Sequence, residues 1–487
     1  MTDSPTRPPE HRWRIFAVCV AAASLTILDL SKVNVGLPSI ETALGAGPTA
    51  LQLIVAGYAL AFGLLLVPAG RLGDLRSRRT LFLVGLGVFA LASLVCALAP
   101  DVVTLAVARI LQGASAGILM PQVFGLLQQL FQGPDRGRAF GLFGAIIGLS
   151  TAFGPTLGGL LIAIGGPEDG WRLLFWMNVP LVLILFPIAW RLLPRRQAHQ
   201  AGGAGLDPVG IVLLGIAVLA LMLPFVLTTG SDSDDPARWW WLVLFAASGA
   251  AFVVWERRVA ARGETPVVDF GLLRIPSYRN GILVGTFYFA AMPATFLTLT
   301  LYLQQGLHLA PVFAGMVTIP FALVSAITSW LSGRVVDRFG RALVVGGTAV
   351  VATGFTTAAL LGILLPAEAA PWGIAAGMLV AGVGGGAVIS PNQTLLLADI
   401  PVVSGGVAGS IAQLGQRIGT AVGLAAATAA FYATLTLETG DAAELVVYHD
   451  AYRNAVAVSV AFVVAALVFG LLDLRRRRHA AREAATL

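Results

Sequence analysis

The chain has 487 residues, of which 57% are hydrophobic and only 11% charged, with a mean hydropathy of +0.84. That composition excludes an ordinary water-soluble fold and places the chain in lipid. The formal charge of +6 comes from short basic clusters between apolar runs, so it reads as membrane topology and not as a nucleic-acid surface.

Single residue types exclude more. Cys19 and Cys96 each lie inside an apolar run, which leaves no disulfide framework and no C-x-x-C site. Lys32 is the only lysine and is followed by Val33, so no nucleotide-binding P-loop exists. The five histidines lie outside the apolar runs, and no Ser/His/Asp or Cys/His constellation is present. Neither an enzyme nor a cofactor or metal site is expected.

A spanning helix needs about 20 mainly apolar residues. After a polar tail carrying Arg7, Arg12 and Arg14, the apolar segments run over 15–37, 50–69, 80–99, 102–128, 137–162, 171–193 and 208–229. They continue over 238–256, 279–303, 311–331, 342–365, 371–397, 403–432 and 452–474. The fold class predicted is an all-α membrane protein with fourteen transmembrane helices. The first segment is too long for a signal-peptide core and is expected to stay as a helix.

Orientation follows from Lys and Arg, which short cytoplasmic loops retain. The N-terminal tail, the loops after spans 2, 4, 6, 8 and 10, and the C-terminal tail hold 25 of the 31. Arg172, Arg238 and Arg453 fall on the opposite side, with the acidic runs Asp232/Asp234/Asp235 and Glu438/Asp441/Glu444. Both termini are therefore expected in the cytoplasm and the protein in the plasma membrane, with Arg475 to Arg478 as an inner anchor.

Gly70-Arg71-Leu72-Gly73-Asp74-Leu75-Arg76-Ser77-Arg78 recurs 263 residues later as Gly333-Arg334-Val335-Val336-Asp337-Arg338-Phe339-Gly340-Arg341. Spans 1 and 9 begin at the same offset, so two six-helix halves are homologous in layout, with spans 7 and 8 inserted between them. The expected domains are an N-terminal bundle at 1–193, an inserted pair with its linkers at 194–277, and a C-terminal bundle with a basic tail at 278–487.

Five motifs carry a family resemblance. Leu28 to Pro38 resembles the first-helix signature of the EmrB/QacA-type drug:proton antiporters, the fourteen-helix branch of the major facilitator superfamily. The Gly70 to Arg79 loop is similar to the superfamily's motif A, and Arg109-Ile110-Leu111-Gln112-Gly113 to motif B. Gly154-Pro155-Thr156-Leu157-Gly158-Gly159 resembles motif C, and Trp171-Arg172 through Asn178-Val179-Pro180 the opening of the sixth helix. The resemblance implies a secondary transporter working by alternating access, with protons and a small molecule as its partners in a lipid bilayer, and it is compatible with a monomer. It also implies a cavity lined by spans 1, 4, 9 and 12, for which Asn34, Gln112, Tyr288, Asn392 and Gln393 are candidate polar residues.

A charge at the centre of a bilayer costs at least about 2.5 to 3.5 kcal/mol, so each asks for a partner or a purpose. Asp29, Lys32, Arg109 and Arg417 are such charges. Asp29 and Lys32 share a helix face, and both lie at a depth similar to that of Arg109, so the three are expected to cluster. Asp29 reads as a proton or substrate site, or as a counter-ion that merely neutralises Arg109 or Lys32; the resemblance implies that Asp29 and the motif B Arg109 take part in proton coupling. Lys32 departs from the family pattern, where an apolar residue is usual. It either snorkels outward or faces the cavity. Arg417, on one stripe with Gln413, either meets an anionic substrate or binds helix carbonyls. The interior of spans 9 to 14 holds no acidic residue. One anion against three cations favours neutral, zwitterionic or anionic substrates.

Motif A reads as a conformational latch in which Asp74 pairs with Arg78 or Arg138 and with helix N-terminal amides. Gly70 belongs to it, and Asp337 and Arg341 are its second copy. Gly154, Pro155 and Gly158 allow close packing or bending in span 5. The expected function is proton-coupled export of small, partly hydrophobic compounds, as in multidrug efflux. The alternatives are a proton-coupled importer or a non-transporting scaffold or sensor.

Overall fold

A computed structural model describes residues 11–195, 207–227, 235–264, 266–437 and 444–486. Arg7, Asp232, Asp234, Glu438 and Asp441 lie outside them. Long helices dominate, and no strand occurs among the described residues. In the N-terminal half they are α1 (Arg12–Leu44), α2 (Pro48–Leu75), α3 (Arg78–Leu98), α4 (Val102–Leu130), α5 (Pro134–Trp176) and α6 (Asn178–Leu192). Then follow α7 (Pro208–Val226) and α8 (Trp241–Ala261). The C-terminal half has α9 (Pro276–Leu301), α10 (Ile319–Phe339), α11 (Arg341–Leu364), α12 (Ala370–Leu396), α13 (Gly405–Leu437) and α14 (Glu444–Thr486). Fourteen stretches among the described residues are long and apolar enough to cross a membrane.

Local chemistry sets the helix ends. Asp101 caps α4 by accepting from the Thr104 N–H at 2.8 Å, and that donor holds its carboxyl below the usual carboxylate range. Ser77 caps α3 through the Thr80 N–H. Gly45 closes α1 at φ 60°, a left-handed position that a side chain would resist. Gly166, at φ 81°, breaks α5, so the fifth span ends at Gly166 and the sixth runs from Glu168 to Leu192.

The stretch expected as a loop after the second span is mostly helix. α2 continues through Asp74 to Leu75 and α3 begins at Arg78, leaving only Arg76 and Ser77 to turn. In the second copy Gly340 alone, at φ 52°, separates α10 from α11. The basic and acidic residues of both motifs are therefore held at helix ends, where backbone geometry fixes them.

The chain divides into two compact units. One is Met1–Ala139 with Phe153–Asp207 and Ile400–Ser410; the other is Phe140–Ala152 with Pro208–Asp399 and Ile411–Leu487. In the first, α4 packs against α2 and α3, and α6 against α3; in the second, α12 packs against α10 and α11, and α14 against α11. The repeat seen in the motifs is thus repeated in the packing. Helices α7 and α8 pack mainly on each other. Only 11% of the most apolar stretch of α8 is buried inside the protein, against 67% in α12. The apolar side chains of α8 therefore face outward, and hydrocarbon is the solvent that suits them.

The first unit's core joins Val33, Ile54, Leu105, Trp171, Leu174 and Phe175. In the second, Tyr302 stacks on Tyr452 with ring centroids 4.5 Å apart and donates to the Gly362 carbonyl at 2.7 Å.

Candidate functional site

The charges expected to cluster in spans 1 and 4 do so, and all three are fully buried: Asp29, Lys32 and Arg109 are each 0% exposed. Arg109 Nη1 donates to Asp29 Oδ2 at 2.5 Å and to Gln112 Oε1 at 2.6 Å. Its Nε reaches the Ile54 carbonyl on α2 at 3.3 Å. The guanidinium lies 4.4 Å from the Tyr58 ring centroid, so α2 supplies an aromatic face as well as an acceptor.

The other carboxylate oxygen is held from α6. Asn178 Nδ2 donates to Asp29 Oδ1 at 2.7 Å, while Asn178 Oδ1 accepts from Lys32 Nζ at 2.7 Å. Lys32 Nζ itself stands 3.4 Å from Asp29 Oδ1. Lys32 thus points into the protein and does not snorkel. Gln112 Nε2 and Asn178 Nδ2 both reach Ser93 Oγ on α3, at 2.8 and 3.2 Å. Asn178 is part of the W-R-x-x-F-x-x-N-V-P stretch of the sequence, yet nothing in that stretch points to Asp29. Ser93 carries no signal in the sequence.

Burial of an ion pair is costly unless the remaining lone pairs and protons are also bonded. Here nearly every polar atom is bonded, which makes the cluster a defined arrangement rather than a loose attraction. Glycines bring α5 against it. A Cβ at Gly154 would stand 2.7 Å from Ser31 Cβ, and one at Gly158 2.9 Å from the Lys32 carbonyl oxygen. Pro155, between them, is exposed.

The motif A carboxylate sits elsewhere in the same unit. Asp74 Oδ1 accepts from Arg78 Nη2 at 2.7 Å and from the Gly406 N–H at 3.1 Å, and Oδ2 accepts from the Val407 N–H at 2.9 Å. These amides begin α13, so the carboxylate meets the positive end of a helix. Arg78 extends the network to the Gly125 and Val402 carbonyls at 3.0 and 2.8 Å. Gly70 lies where a Cβ would stand 2.8 Å from the Gly406 carbonyl oxygen. Arg138 takes no part: it is exposed and faces Asp135 at 3.5 Å.

The second motif copy is wired differently. Asp337 is exposed, and Arg341 turns instead to Asp473 on α14, donating from Nε at 2.5 Å. Arg341 Nη1 also donates to Asn392 Oδ1 at 2.5 Å, and Asn392 Nδ2 donates to the Gly281 carbonyl at 2.8 Å. Asp473 is 1% exposed, so a buried acid lies at the end of the fourteenth span although the interiors of spans 9 to 14 hold none. It is the next-to-last residue of its predicted span, where an acid reads as solvated. Asn392 is thereby fully engaged, whereas Tyr288 Oη and Gln393 Oε1 are buried with no hydrogen-bond partner among the described residues. Gln413 is buried and Arg417 half-buried on α13, while Asn34 is exposed on α1.

A model of the Major Facilitator Superfamily matches residues 16–424. The chain is 33% identical to the probable actinorhodin transporter of Streptomyces coelicolor over 88% of this chain and 74% of that protein. It is equally identical to the puromycin resistance protein pur8 of Streptomyces alboniger, over 96% and 93%. Among solved structures, the human organic anion transporter MFSD10 superposes with a TM-score of 0.64 at 16% identity, covering 94% of this chain and 100% of that one. The last likeness concerns the fold alone.

Proposed function

We propose, given that this chain belongs to the Major Facilitator Superfamily, that it is a proton-coupled secondary transporter that exports small, partly hydrophobic compounds by alternating access. The observation that carries the coupling is the buried Asp29, bonded at 2.5 Å to Arg109 and at 2.7 Å to Asn178. An intramembrane carboxylate so placed has a functional role by default, and proton exchange in this cluster requires at least one pairing to break, which a shift of α1 against α4 supplies. Export and the drug-like substrate class are supported by the names of the relatives. The excess of buried cations in the first unit favours neutral, zwitterionic or anionic compounds. Both termini are assigned to the cytoplasm on the arginine bias, and Asp74 with Arg78 acts as the latch.

Retention assays in an efflux-deficient bacterial host test this reading, with ethidium as a cation, chloramphenicol as a neutral compound and carboxyfluorescein as an anion. Cells making the protein should retain several-fold less of the neutral or anionic compound than control cells. Equal retention of all three, or greater retention, would contradict export.

A further inference from the structure

Among the described residues, the charged and titratable groups around Lys32 are Asp29 on α1, Arg109 on α4 and the Cys96 thiol on α3. From α6 comes only the Asn178 amide, and α5 presents Gly154 and Gly158. Tyr58, on α2, lies against Arg109 and donates its hydroxyl to the Thr26 carbonyl. The cluster therefore holds one carboxylate and two cations, all fully buried. An unbalanced charge in such surroundings is expensive, and the group that can change its charge relieves it.

Arg109 does not shed its proton. Asp29 accepts at both oxygens, from Arg109 on one and Asn178 on the other. A proton arriving there would displace a donor and leave two cations without an anion. Loss of a proton from Lys32 does the opposite. It leaves Asp29 and Arg109 as a balanced pair, and the remaining –NH2 group still donates to Asn178 Oδ1.

We propose that Lys32 is the proton carrier of this transporter. Its ammonium gives a proton to water on one side of the membrane as the cluster closes, and the neutral amine takes one from water on the other side when the cluster opens. This rests on the exporter reading above and assigns the exchanged proton one helical turn away from the carboxylate.

Lys32 is the only lysine in the sequence, so lysine labelled with heavy nitrogen at Nζ gives a single side-chain amine signal from the intact, unmutated protein. That signal should move between the ammonium and amine positions across the pH range in which transport responds to the proton gradient. In proteoliposomes, Lys32→Arg, which keeps a permanent charge, and Lys32→Gln, which removes it, should both lose gradient-driven transport of the best-exported compound of the panel. Both should still exchange that compound down its own gradient. An ammonium signal at every pH, or full gradient-driven transport by Lys32→Arg, overturns the proposal while leaving the exporter reading intact. A wild-type protein that moves no panel compound under a proton gradient overturns both.

Discussion

Arg341 donates to Asp473 at 2.5 Å, joining the first residue of α11 to α14, although its counterpart in the first repeat, Arg78, takes Asp74 from the preceding helix. The same motif position thus ties α11 to α14 in one half and, in the other, holds a carboxylate against the first amides of α13. Removing one partner of a buried pair leaves an uncompensated charge, which costs about 3 to 5 kcal/mol. Asp473→Ala should therefore lower the thermal midpoint of the purified protein clearly. Asp337→Ala, at an exposed position, should leave it unchanged. Equal effects of the two would deny that Arg341 depends on Asp473.

Asp74 touches backbone amides and Arg78, so the proposed latch predicts that its neutralisation shifts which conformations are populated rather than how substrate is held. Asp74→Asn should slow turnover several-fold with little change in substrate affinity, read from transport rates against binding isotherms. Arg138→Ala should behave as wild type. A large loss of affinity in Asp74→Asn would remove the latch.

Gly158 packs on the Lys32 backbone and Gly154 on Ser31, whereas a Cβ at Gly159 meets nothing within 4 Å. Overpacking of this kind costs about 1 to 3 kcal/mol. Gly158→Leu should lower stability and folded yield, while Gly159→Ala should be neutral. Comparable stability of the two variants would mean that α5 moves aside freely.

Single cysteines placed at Asp235 and at Arg262, both exposed, test the topology once Cys19 and Cys96 are replaced. A membrane-impermeant thiol reagent should label position 235 from outside intact cells and position 262 only after the membrane is opened. The reverse pattern would invert the assigned orientation.

Much of this was legible in the sequence. Apolar runs fixed the spans because a membrane imposes one length on every helix, and the cost of a buried charge singled out Asp29, Lys32 and Arg109. What stayed hidden was neutral or terminal. Asn178 and Ser93 are uncharged, so nothing in their hydropathy marks them as the groups that join α6 and α3 to the carboxylate. Asp473 looked solvated because a sequence shows how near an acid is to a span's end, not which side chain from another helix meets it there. Asp74 and Asp337 occupy equivalent motif positions, yet only packing decides that one is buried and the other exposed.

A proton gradient is proposed to drive export through the Asp29 cluster. The most direct test is transport by purified protein in proteoliposomes with an imposed proton gradient and no nucleotide, comparing wild type with Asp29→Asn. Wild type should move a panel compound uphill and stop when the gradient is collapsed; Asp29→Asn should show only downhill exchange. Uphill transport that continues at full rate after collapse, or that Asp29→Asn performs as well as wild type, would contradict the account.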